Sequence, residues 1–329
     1  MSLASRLPAI AAAIVTACAF AGTAHAQTEI KLAYALAVNS HYGAGAAAWA
    51  ETTERLSKGK LVFKQFPSSA LGGERETVEG LQLGTLEAVI VSSGTLSNFV
   101  PEVGVTDIPF LFRDLAHARS VLDGKIGQDL LAKFPARNLI ALAWGEQGFR
   151  HLTNSRHAVQ APADMKGLKI RTMENPVHIT AFKTLGAAPT PMAWPEVIGA
   201  LQQGTIDGQE NPMSVIVSAK LAEVQKHLTL TGHVYSPAAL IVSPKLWNSL
   251  DADGKKALAE GARAGVVAMR AFVDDVERKG VENVKAAGMN VVVLDDDAKA
   301  AFQKALAPAY SQYEGRYGKA LIDGIANAK

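Results

Sequence analysis

A short phrase occurs twice in this chain and constrains its architecture more than any other feature. Glu79-Gly-Leu-Gln-Leu-Gly-Thr-Leu-Glu87 aligns with Gly199-Ala-Leu-Gln-Gln-Gly-Thr-Ile-Asp207 at an offset of 120 residues, with Leu, Gln, Gly and Thr identical in place. In the second copy Pro195 suits the first turn of a helix, Val197, Ile198 and Leu201 form its apolar face, and Gly204 is a natural exit residue. Asp207-Gly208 then reads as a turn. Gln209, Glu210 and Asn211 follow before Pro212, which pushes Asn211 toward extended backbone angles. Two copies of a helix running into a strand imply two similar lobes. Glu74 and Trp194 would open the matching helices, Ser92 and Ser93 would lie near the counterpart of Asn211, and a ligand between the lobes would meet both sets.

Length permits this, since 329 residues suffice for two lobes with separate cores. Hydrophobic residues make up 48% and charged ones 19%, and the formal charge is +2. No basic block interleaved with aromatics appears, so nucleic acid is not an expected partner. Met1 to Ala26 reads as a signal peptide: Arg6, an apolar run from Leu7 to Phe20, then the small-x-small site Ala24-His25-Ala26. The mature chain is then expected from Gln27, exported to the periplasm, soluble and monomeric. Val15-Thr-Ala-Cys18 offers the alternative of a lipid anchor at Cys18. If Cys18 leaves with the leader, the mature chain has neither disulfide nor thiol nucleophile, because it is the only cysteine.

Hydrophobic periodicity orders the rest as α/β. Strands are expected over Ile30 to Leu36, Lys60 to Phe66 and Leu86 to Ser92, with helices over Tyr42 to Leu56 and Glu74 to Leu83. That alternation implies a parallel sheet with helices on its faces and ligands at the carboxyl ends of the strands. Leu139 to Trp144 reads as a buried strand leading into a first crossing, Gly145 to Asn154. Leu168 to Met173 is a strand ending at Arg171. Val224 to Leu230 and Ala238 to Val242 are strands separated by a second crossing, His233-Val-Tyr235, so two segments form a hinge. Asp251 to Ala287 carries apolar residues at spacings of 3 and 4. At 1.5 Å per residue it would be a helix of roughly 50 Å, long enough to run along both lobes. The expected lobes are 27–146 with about 236–250, and about 147–235, followed by C-terminal helices over 251–329.

Motifs for catalysis or cofactors are scarce. Gly43-Ala-Gly45-Ala-Ala-Ala48 matches a dinucleotide fingerprint, but the second strand ends without the acidic residue that would hold a ribose, so the small residues are read as helix packing. No Walker A, G-x-S-x-G or H-E-x-x-H sequence occurs. The histidines lack the company of a metal site, and neither cofactor nor metal is expected. What remains is a polar set at expected strand ends: Arg150, Arg171 and Asn211 from one lobe, Glu74, Ser92 and Ser93 from the other. Two guanidiniums beside an amide suit a carboxylate, which a fork of N–H donors matches in geometry. His41 and the serines could hold hydroxyl or carbonyl groups at the other end, Glu74 could accept hydrogen bonds from sugar hydroxyls, and Tyr235 and Trp194 complete the candidate set.

These motifs resemble those of the solute-binding proteins of tripartite ATP-independent periplasmic (TRAP) transporters, of the DctP type. The likeness rests on Leu71-Gly-Gly-Glu-Arg-Glu76, the L-Q-L-G-T segment, Ile108-Pro-Phe-Leu-Phe112, Gly148-Phe-Arg150, Leu152-Thr-Asn154, Leu168-Lys-Ile-Arg171 and Asp207-Gly-Gln-Glu-Asn-Pro212. The resemblance implies a two-lobed periplasmic binding fold of the class II kind, with a hinge and a long helix across both lobes. It also implies capture of an organic acid and delivery to membrane permease subunits. By motif, Arg171 resembles the principal carboxylate-pairing arginine, and Arg150 and Asn211 its accessory donors. Trp194 stands where that pattern often has phenylalanine. Two alternatives remain: a receptor serving a sensor kinase or chemoreceptor, and an exported lyase or isomerase using His151 and Glu146 as proton carriers.

Overall fold

Alternation along the strands sets the layering of the molecule, which is described for residues 27–329 by a computed structural model; the expected leader with Cys18 lies outside the described residues. In chain order the elements are β1 (Thr28–Tyr34), α1 (His41–Leu56), β2 (Leu61–Phe66), α2 (Glu74–Leu83), β3 (Ala88–Ser92) and the single turn α3 (Ser93–Leu96). Next come α4 (Leu115–Asp123), α5 (Lys125–Leu131), β4 (Ile140–Asn154), β5 (Lys169–Thr172), α6 (Pro176–Thr184), β6 (Ala188–Pro191), α7 (Trp194–Gln202), β7 (Gly208–Pro212) and α8 (Met213–Ser218). The chain closes with β8 (His227–Val242), α9 (Pro244–Ser249), α10 (Ala252–Ala286), β9 (Asn290–Val293), α11 (Asp296–Tyr317) and α12 (Lys319–Ala326).

All strands belong to one sheet, in the order β2-β1-β3-β8-β4-β7-β5-β6, with β9 pairing to β8. Read from its two ends the sheet is the same motif twice: β2-β1-β3 then β8, and β6-β5-β7 then β4. The repeat carries through to coordinates, because β3 at 88–92 and β7 at 208–212 are displaced by the same 120 residues as the sequence phrase. Both run antiparallel to the long strand beside them. The sheet is therefore mixed, whereas strand-helix alternation predicts parallel pairing alone.

β4 and β8 are the connection between the halves. The expected crossings, 145–154 and 233–235, are not separate linkers but parts of strands of 15 and 16 residues that pair with each other antiparallel. One end of each pairs in the first half, where β8 meets β3, and the other end in the second half, where β4 meets β7 and β8 meets β9. Register shifts fall between Glu146 and Gly148 and between Arg150 and Leu152, and Gly148 adopts φ +104°, a value that favours glycine. Alternation hides here because both strands are almost wholly buried, so no period-2 signal marks them.

Each half is covered on both faces. Ile30, Leu32, Tyr34, Ala88 and Ile90 point into one cluster and Ala33, Val89 and Val91 into another, as a period of two requires. The first of these clusters includes Leu258, Ala262, Val266 and Met269 of α10, while Val276 and Val284 of the same helix sit in a cluster of the second half. The 35-residue α10 thus packs on both halves. α11 does so as well: Phe302 joins a cluster of the second half, Ala309 and Tyr313 one of the first.

Glycines set the closest approach of α1 and α10. A Cβ on Gly261 would lie 2.0 Å from Thr53 Oγ1 and 2.8 Å from the Trp49 carbonyl oxygen. Gly45 faces Met269 and Gly265 in the same way, and a Cβ on Gly43 would lie 2.0 Å from the Val38 carbonyl. The G-x-G pattern after β1 is thereby a packing device.

Candidate functional site

The carboxyl ends of β3, β5 and β7 and the amino ends of α2 and α7 converge on a cleft between the halves. It encloses about 560 Å³ of space, its mouth included, and its lining includes Glu74, Ser92, Arg150, Arg171, Trp194 and Asn211. Six of the nine residues expected from sequence therefore meet there. The 120-residue repeat explains why Glu74 and Trp194 face the cleft from opposite sides: each is the first residue of its helix.

Arg171, near the end of β5, is 3% exposed. Its Nε and Nη2 donate to the Met192 carbonyl at 2.9 and 2.7 Å, and its guanidinium lies 5.9 Å from the Trp194 ring centre. Among the described residues no carboxylate comes within ion-pair distance of it. Burial pulls its pKa down to about 10, with Arg150 acting in the same sense and Glu210 and Glu74 against it. It stays protonated at neutral pH. A buried cation without a counter-charge is costly, and an anion entering the cleft would remove that cost.

Arg150 has a different fate. Its Nε and Nη2 grip the Glu210 carboxylate at 2.5 and 2.8 Å, Nη2 also donates to the Glu210 carbonyl, and Nη1 reaches Ser236 Oγ at 3.3 Å. Burial raises the carboxyl pKa of Glu210, but Arg150, His178 and His233 outweigh that and hold it well below the usual range. The site therefore presents one free buried cation where two were expected. Asn211 is committed too: its Nδ2 donates to Gln209 Oε1 and its Oδ1 accepts from Arg150. The Q-E-N-P motif holds Glu210, but which arginine it pairs with depends on the register of β4 against β7, where Arg150 faces Pro212.

The opposite wall is built around Glu74. Its Oε1 accepts the Ser92 N–H at 2.9 Å and the Tyr42 hydroxyl at 3.4 Å, and its Oε2 accepts the Thr95 hydroxyl at 2.6 Å. Burial raises its pKa above the ordinary carboxylate value, and these donors and the Arg171 charge offset that only in part. Ser92 Oγ accepts from Gln147 Nε2 at 2.9 Å, and Gln147 also reaches Ser236 and Pro237, tying the wall to the crossing strands. Tyr42, Thr95 and Gln147 are not in the expected set although His41, Ser93 and Glu146 near them are named, because a local pattern does not say which neighbouring side chain faces the cleft.

Three expected residues lie outside the cleft lining. Ser93 is fully buried and donates to Asp107 Oδ1 at 3.0 Å. Tyr235 donates to Glu146 Oε2 at 3.0 Å and packs on Phe112 and Phe149. His41 turns inward at the start of α1, against Tyr42 and Phe272, and burial pushes its pKa down to about 3. Each faces a core or a fixed partner, because the helix or strand that carries it turns that side chain away from the gap. The proton carriers of the lyase alternative are also separated from the cleft. Glu146 is clamped by Arg119 at 2.6 and 2.8 Å, and His151 Nδ1 is held by the Gly232 N–H with its pKa pushed by burial to about 3.

Comparison with known proteins agrees with this geometry. The family model for bacterial extracellular solute-binding protein, family 7 (DctP), matches residues 32–316. The 2,3-diketo-L-gulonate-binding periplasmic protein YiaO of Escherichia coli (strain K12) is 38% identical, over 86% of each chain. A TRAP periplasmic solute-binding protein from Bordetella bronchispeptica, with density assigned as pantoate, superposes with a TM-score of 0.90 at 59% identity, covering 92% of this chain and 100% of that one. Another, from Polaromonas sp. JS666 and bound to D-erythronate, gives 0.90 at 50% identity, covering 92% and 99%. Fold, cleft and family match coincide over nearly the whole described chain, and the protein belongs to the DctP family of TRAP transporter solute-binding proteins.

Proposed function

We propose that this chain captures a small organic acid in the cleft between its halves, its carboxylate paired with Arg171, and delivers it to the membrane subunits of a TRAP permease. The acid is a sugar acid, a hydroxy acid or a dicarboxylate. Arg171 carries the reading: a guanidinium 3% exposed, anchored on a backbone carbonyl through two nitrogens, with no carboxylate partner among the described residues. Both Nη1 hydrogens and one on Nη2 remain as donors, and Trp194 and Arg150 flank the place where an anion would sit. The ligands of the relatives named above are all carboxylic acids, which supports the same assignment in kind. The lobes of this reading comprise 27–146 with about 236–250, and about 147–235, moving about β4 and β8. Export through a cleaved leader to the periplasm, a monomeric state and the absence of catalysis belong to the same proposal.

A thermal-shift screen tests it, since a ligand that binds only the folded state raises Tm. At a concentration 100 times Kd the stabilisation is about 2.7 kcal/mol, a shift of several degrees. Small carboxylates are expected to raise Tm, and their uncharged amides to leave it in place. A screen in which amides stabilise as well as acids would remove Arg171 from the account.

A further inference from the structure

We propose that Glu74 makes this cleft selective for an acid with a single carboxylate and at least one hydroxyl group, and that it excludes dicarboxylates. This narrows the preceding reading and rests on it. The cleft has two walls of unlike character. One offers Arg171, a cation with no counter-charge, while the second buried arginine, Arg150, is already neutralised by Glu210. The other wall offers a carboxylate that cannot turn away: Ser92 N–H, Thr95 Oγ and Tyr42 Oη donate to both of its oxygens.

Donor bookkeeping points the same way. The Thr95 and Tyr42 hydroxyl hydrogens are directed at Glu74, and the Gln147 amide hydrogens are directed at Ser92, Ser236 and Pro237. The wall opposite Arg171 is thus left with acceptors. A ligand hydroxyl donates to such a wall; a second carboxylate only accepts, and it would meet the like charge of Glu74 across the cleft. Glu174 also lines the cleft, but it is exposed and its charge is screened at the mouth. Arg75 is the lining cation that could oppose Glu74, but its side chain is 48% exposed, pairs with Glu79 at 3.5 Å and lies 6.0 Å from the Phe99 ring centre. Its charge is screened in the same way.

Calorimetric titration with three four-carbon acids provides the test: erythronate, succinate and succinamate, the monoamide of succinate. On the unaltered protein erythronate is expected to bind at least tenfold more tightly than succinate. Succinamate, which has nearly the shape of succinate without its second charge, should bind at least fivefold more tightly than succinate. In Glu74→Gln, confirmed folded by circular dichroism, that gap should close to within twofold, and erythronate should weaken. Succinate binding as tightly as succinamate to the unaltered protein overturns the proposal, as does a gap that persists in the folded variant. The ligand comparison needs no variant, so it decides even if Glu74→Gln fails to fold. Failure of every carboxylate in the thermal-shift screen would sink carboxylate capture itself, a result distinct from acids that bind without discrimination.

Discussion

Burial acts on basic side chains in one sense, and the consequence depends on where their ordinary pKa starts. Arg171 falls only to about 10 and remains a cation, whereas His41 and His151 fall to about 3 and remain neutral in the fold. In the unfolded chain a histidine titrates near 6.5. Below that value the unfolded state takes up protons that the folded state refuses, so stability is full above about pH 6.5 and falls as pH drops toward 3. Each such histidine costs about 1.4 kcal/mol per pH unit in that window, and burial lowers His233 in the same direction. Urea unfolding at pH 7 and pH 5 should therefore show a lower midpoint at pH 5. His41→Phe should reduce that difference by one proton's worth, and an unchanged difference would contradict the assignment. At this scale the sequence identifies the chemistry of Arg171 and Glu74, because each sits at a strand or helix end that local patterns mark. The strand-end pattern alone does not separate Arg171 from Arg150, although the family resemblance ranks Arg171 first. That distinction is a matter of which guanidinium meets Glu210, and only strand pairing decides it.

Helices follow their signals closely. α2 begins at Glu74 and ends at Gly84 with φ +70°, and α7 begins at Trp194 with Pro195 in its first turn. α10, expected over 251–287, spans Ala252–Ala286 with Asp251 as its cap. Its packing depends on Gly261, so Gly261→Ala forces α1 and α10 apart and should lower stability by about 1–3 kcal/mol, as overpacking does. Gly199 on α7 offers the opposite case: a Cβ there meets nothing within 4 Å. Gly199→Ala should raise stability by about 0.5–1 kcal/mol through helix propensity. Chemical denaturation of the two variants checks both signs. Strands are read less well, and for a physical reason. β6 and β9 are four residues each, and the buried parts of β4 and β8 show no alternation, so a crossing reads as a loop where the chain continues as a strand.

On the scale of the molecule, the repeat is what makes the architecture legible. An internal offset of 120 residues predicts two similar halves, and β3 with α2 and β7 with α7 keep that offset in space. The crossings at Gly145 to Asn154 and His233 to Tyr235 are legible, but the pairing of β4 with β8 through them is not, because it depends on long-range contacts that no local pattern encodes. It matters for function. Gly148 and the register shifts lie in these strands beside Gln147 and Arg150, so the joint between the halves and the floor of the cleft are built from the same residues. Binding an acid to Arg171 and the opposite wall would then favour the closed arrangement of the two halves.

Calorimetric titration of the cognate acid into Arg171→Ala, beside the unaltered protein, addresses that central pairing directly. Loss of one partner of a buried charge pair costs roughly 2–5 kcal/mol. At about 1.4 kcal/mol per tenfold, the expected Kd rises by at least about 25-fold. A folded Arg171→Ala protein that binds the acid within threefold of the unaltered one would contradict the account.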